Sequence, residues 1–226
     1  MNLELILSSF FSILKGFPIT IYIVSSGLIL GLFLSFIILA MRISKINIIS
    51  YLSRGYVFSI RGTPLLVQIY FIYFGLAQFE FIRSSFLWIF LKEPFWCGVL
   101  ALTINTSAYT AEILRSGLNS INKGQVEAAV SFGMTKTKTF TRILLPQALR
   151  QSIPAYSNEV ILMIKASSLV SIITILEMTG IAKKIIAKTF APIEVFIAAG
   201  IIYLLLNIII TNLFKAIEKK YSVNIV

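Results

Sequence analysis

Nine glutamates are the only carboxylate side chains in this chain of 226 residues, which contains neither aspartate nor histidine. That composition excludes a Ser-His-Asp triad, a histidine metal site and a histidine proton switch. Cys97 is the single cysteine, so no intrachain disulfide can form, and no GxxxxGK[ST] phosphate loop is present. The groups left to do chemistry are few. Glu159 and Lys165 lie six apart in a long apolar run, about 240° around a helix and about 9 Å along it, so a direct pair between them is disfavoured. One reading makes Glu159 a buried partner for Lys165 all the same. The sharper one has Glu159, with Asn158 and Asn105, line a cavity, the carboxylate attracting a cation and the amides fixing its orientation. Glu112 and Arg115, three apart, share a helical face and read as a structural ion pair.

These side chains need a scaffold that can hide them. The chain is 58% hydrophobic with a mean hydropathy of +0.91, too apolar for a soluble domain of this size. The expected fold is an all-α membrane protein of one domain, with about five spans at about 17–41, 64–82, 94–115, 152–175 and 192–214. Ser26, Gly27, Gly31 and Ser35 form a stripe of small residues suited to close helix packing in lipid. Residues 1–16 read as a retained leader at the interface, without the basic start and small-residue cleavage site of a signal. Residues 47–60 read as a short interfacial helix, and 176–191 as an amphipathic segment too polar to span.

The net charge of +11 would point to nucleic acid in a soluble protein. Here its distribution gives another cause. With the N-terminus outside, twelve of the twenty Lys and Arg fall in inner segments and six in outer ones, Arg61 and Lys165 making up the rest. The positive-inside bias therefore places the N-terminus outside, the C-terminus and the long polar loop in the cytoplasm, and no nucleic acid among the partners. Lys183, Lys184 and Lys188 run against the bias on the outer side.

That polar loop, 116–146, contains GQVEAAVSFGMTKTKTFTRILLP from Gly124 to Pro146. Val126, Ala129, Val130 and Phe132 give helical periodicity; Gly133 is a left-handed stop, and Thr135 can cap a second helix. Pro146 is expected to reset the backbone where the next apolar run begins. Glu127, Ala128 and Ala129, then Gly133, then Ile143, Leu145 and Pro146 resemble, in order and spacing, the EAA loop of bacterial ABC-transporter permease subunits. The run RGTPLLVQIYFIYFG is similar to one in the polar-amino-acid branch of that family, the histidine, arginine and glutamine type. LMIKASSLVSII is similar to a further family stretch, with Ala166 where relatives carry an acid, so no role for that acid transfers.

The resemblance implies a type I importer permease that is no enzyme and needs no cofactor. Its loop would dock on separate ABC ATPase subunits through Glu127, Ala128, Ala129, Gly133, Ile143, Leu145 and Pro146. An extracytoplasmic amino-acid-binding protein would deliver a polar or basic amino acid, and a second permease, identical or paralogous, would complete the path in the bacterial inner membrane. For Arg61 a snorkelling anchor and a family role both remain open, and for the 183–188 lysines a docking patch and a solvated face. The rival classes are a proton-coupled transporter using Glu159 and an intramembrane enzyme using Glu159 and Lys165 as acid and base.

Overall fold

A computed structural model describes residues 2–221, and every regular element among them is helical. Helix α1 (Leu3–Leu14) starts at Asn2, whose side chain accepts the Leu5 N–H at 3.2 Å. It is two-faced: Ser9 and Ile13 are buried, while Leu3, Leu7 and Phe11 point outward. After a two-residue turn, α2 (Phe17–Arg42) runs 26 residues, about 39 Å. Its buried Gly27, Gly31 and Ser35 let it lie directly on α7 (Pro94–Asn119), the most extensive helix contact in the fold. A Cβ on Gly31 would collide with Thr106 Cγ2 and come within 3.2 Å of the Thr103 carbonyl.

Between these two long helices the chain doubles back. Helix α3 (Asn47–Gly62) docks through polar contacts: Ser53 Oγ donates to the Ile38 carbonyl at 3.0 Å, and Tyr56 Oη reaches Ser107 Oγ at 2.7 Å. Thr63 must leave the helical region because Pro64 follows it, and its φ of −113° and ψ of 142° are extended. The chain restarts as α4 (Leu65–Tyr70), bent by 105° from α3, and continues through a π turn and a 3₁₀ turn to residue 78. The expected span at 64–82 is thus the second arm of a broken helix. Short helices α5 (Glu80–Arg83) and α6 (Trp88–Leu91) lead to α7.

Beyond α7 come the hairpin helices α8 (Lys123–Ser131) and α9 (Lys136–Thr139), then α10 (Leu145–Ala166), α11 (Met178–Thr189) and α12 (Pro192–Tyr221). Among the described residues three helices are long and apolar enough to cross a membrane, at 17–42, 136–173 and 192–220, with a fourth if the bent pair counts as one. Helix α7 matches α2 in length yet buries Thr103, Asn105, Thr106, Ser107 and Thr110. It can be that polar because it is enclosed by α2 and α10 rather than facing lipid. Helix α12 closes the bundle against α1, α10 and α11.

Glu177 fixes the approach to α11 and is wholly buried. Its carboxylate caps the helix by accepting the Thr179 and Gly180 N–H at 2.9 and 2.8 Å, and the Tyr203 hydroxyl at 3.0 Å. Burial pushes this carboxyl up from 4.5 to about 6, although those donors and the Lys183 charge pull the other way. A carboxyl raised in the fold favours the protonated state. Its contribution to stability is therefore complete below about pH 4.5 and is lost as pH climbs through about 6. Melting curves of wild type should show about 2 kcal/mol lost across that interval, and Glu177→Gln should remove the step.

Packing at Gly31 gives a second test. Gly31→Leu should force α2 and α7 apart and lower stability by about 1–3 kcal/mol or more, read as a lower melting temperature in detergent.

Candidate functional site

Two features stand out, a cavity beside α10 and the hairpin at its start. Glu159 lies on α10 with only 6% of its surface exposed, near Thr106 of α7. It lines a cavity of about 450 Å³ together with Arg61, the Gly62–Thr63–Pro64 break, Asn105 and Tyr109. The rest of the wall is apolar, Leu65, Leu162, Met163 and Leu169 among it. Glu159 is thus the one carboxylate in a wall that is otherwise apolar apart from Arg61, Thr63, Asn105 and Tyr109.

The proline break supplies one wall, and Gln68 holds it in place. Gln68 Nε2 donates to the carbonyls of Ile60 and Thr63 at 2.8 and 3.1 Å and to Thr63 Oγ1 at 3.0 Å, which satisfies the carbonyls the bend leaves free. Its Oε1 accepts from Asn105 Nδ2 at 3.0 Å. Sequence reasoning passed over Gln68, although an amide four residues after a proline in an apolar run was the available signal.

Asn105 and Glu159 come together in this cavity, and Asn158 does not join them. It is exposed and absent from the lining, because adjacent residues on a helix point about 100° apart. Lys165 is also exposed and makes no ion pair with Glu159 among the described residues. The Glu112–Arg115 pair is formed, Arg115 Nε donating to both carboxylate oxygens at 3.0 Å, with Arg42 3.8 Å away. A second cavity, about 580 Å³, lies along the same helices and includes Glu112, Ser116, Ser120 and Gln151. It shares Arg61 and Tyr109 with the first, and the Arg61 guanidinium sits 5.1 Å from the centre of the Tyr109 ring.

The hairpin follows its local chemistry closely. Asn122 Oδ1 accepts the Gly124 N–H at 2.8 Å and starts α8. At its end Gly133 has φ +73°; its N–H returns to the Val130 carbonyl at 2.9 Å and that of Met134 to Ala129 at 3.0 Å, a Schellman closure. Thr135 then caps α9 by accepting the Lys138 N–H at 3.3 Å. On α8 only Ala129 is buried; Glu127 and Ala128 are exposed, and Val130 and Phe132 are 61% and 88% exposed. Ile143, Leu145 and Pro146 are half-buried on the returning helix.

The expected reset at Pro146 does not occur. The helix runs unbroken from 136 to 173, because the π turn Phe140–Leu144 immediately before Pro146 accommodates its ring and missing N–H. The second arm of the hairpin, α9, is therefore continuous with the helix that carries Glu159.

No atom crowds Gly133, so a substitution there tests backbone strain alone. Gly133→Val should disorder the hairpin, read as faster proteolysis between α8 and α9, whereas Gly133→Asn, which enters the left-handed region more readily, should keep most of the wild-type resistance.

Comparison with known proteins completes the site. The family described as "Binding-protein-dependent transport system inner membrane component" matches residues 27–223. The octopine transport system permease protein OccM of Rhizobium radiobacter is 50% identical over 210 residues, 93% of this chain and 86% of that one. The arginine transport system permease protein ArtQ of Bacillus subtilis (strain 168) is 38% identical over 212 residues, 94% of this chain and 93% of its own. A crystal structure of an amino acid ABC transporter with histidines superposes with a TM-score of 0.77 at 35% identity, over 96% of this chain and 94% of that one. With a proline-broken helix, an enclosed polar helix and a capped polar hairpin in place, the chain belongs to the inner membrane components of binding-protein-dependent transport systems, the ABC permeases.

Proposed function

We propose that this chain is the permease subunit of an ATP-driven importer for polar or basic amino acids, with Glu159 as the group that holds the cationic end of the substrate. The observation that carries this reading is the enclosed Glu159 carboxylate facing a cavity of about 450 Å³, a size suited to a small solute. The names of the relatives, octopine and arginine permeases and an amino acid transporter, point to the same chemical class. Asn105 contributes to the wall and, through Gln68, keeps it in position.

In this reading the chain crosses the bacterial inner membrane about five times, α7 included, with its N-terminus outside and the hairpin in the cytoplasm. Two copies, or this chain and a paralogue, form the path. The exposed Val130 and Phe132, with Glu127 and Ala128, offer a docking face to separate ATPase subunits, which hydrolyse ATP, since this chain has no phosphate loop. A binding protein delivers substrate from outside.

Reconstitution with the ATPase and binding protein tests this. Glu159→Gln should raise the KM for arginine uptake about 10–100-fold while leaving ATPase activity assembled on the hairpin intact, the loss expected for one charge-assisted contact. Unchanged affinity in that variant would remove Glu159 from the substrate site.

A further inference from the structure

We propose that Arg61 is the carboxylate receptor of the cavity, so that an amino acid is held as a zwitterion between Glu159 and Arg61. This rests on the reading of Glu159 as the substrate's cation receptor. Every α-amino acid brings a carboxylate with its ammonium, and a cavity that offered only Glu159 would repel that second charge. Among the cavity-lining residues Arg61 is the one cation. The neutral donors there are weaker partners for a carboxylate: Asn105 Nδ2 gives one N–H to Gln68 at 3.0 Å and Thr63 Oγ1 donates to the Ser59 carbonyl at 2.8 Å.

The setting of Arg61 leaves its donors available. It makes no ion pair among the described residues, whereas Arg42 and Arg115 both engage Glu112. Its guanidinium is restrained by the Tyr109 ring at 5.1 Å. An aromatic face holds a guanidinium through its π cloud and consumes none of the in-plane N–H groups, which stay free for a two-pronged grip on a carboxylate.

The shared wall adds direction. Arg61 also lines the second cavity, where the acid is Glu112. That acid is occupied by Arg115 at 3.0 Å through both oxygens, so the second cavity offers the carboxylate a partner and the cation none. The zwitterion is therefore held in the Glu159 cavity and only weakly in its neighbour.

Titration of the purified permease–ATPase complex in nanodiscs tests the assignment, with L-arginine and agmatine, which is arginine without its carboxylate, as probes. Wild type should bind arginine more tightly than agmatine. Arg61→Gln should weaken arginine about tenfold and leave agmatine unchanged or tighter. Arg61→Lys, which keeps the charge and loses the fork, should fall between wild type and Arg61→Gln for arginine and leave agmatine unaltered, and it stands in if the glutamine variant does not fold. Glu159→Gln should weaken both probes. Equal effects of the Arg61 variants on the two probes, or none on either, overturn the role of Arg61 while Glu159 keeps its own. A Glu159→Gln complex that binds both probes as wild type does, or a wild type that binds neither, overturns the reading of Glu159 and this assignment with it.

Discussion

Hydrocarbon offers no hydrogen bonds, so a membrane-embedded chain can carry polar side chains only where other parts of the protein enclose them. The whole structure is arranged around that constraint as it acts on α7. Helix α2 covers one side of it with small residues, α10 covers another, and α3 folds back to bring Tyr56 to Ser107. Thr106 and Asn105 are thereby buried inside the bundle, where Asn105 reaches Gln68. A helix too polar for lipid becomes the inner wall of the cavities.

The interruptions in the helices serve the same end. Pro64 bends the chain by 105°, and the groups that bend releases are taken up by Gln68 rather than left bare. The bend also sets Arg61 and the Gly62–Pro64 backbone into the wall of the cavity, where a straight helix would have carried them past it. At the other end of the site a π turn absorbs Pro146, and so α10 continues through the hairpin without a joint. Glu159 sits 13 residues beyond Pro146, about 20 Å along the same helix, with Pro154 between them. The returning arm of the hairpin and the cavity wall are thus parts of one helix rather than joined by a loop. Val130 and Phe132 are exposed at the far end of the hairpin.

Much of this was determined locally and could be read from the residues alone. Gly133 and Thr135 specify the hairpin because each acts on backbone within three residues of itself, through a left-handed turn and a cap; Asn122, which the sequence reading passed over, caps α8 just as locally. The small-residue stripe of α2 announced a close neighbour, and the Glu112–Arg115 spacing announced its ion pair. Tertiary structure decided the rest. Which of two adjacent polar residues, Asn158 or Glu159, faces the cavity depends on where α7 lies against α10, and periodicity on one helix carries no such information. Whether Pro146 breaks its helix depended on a π turn that no single residue signals. The meeting of Gln68 with Asn105, and of Arg61 with Tyr109, joins residues 37 and 48 positions apart, and only the fold around α7 brings them within reach.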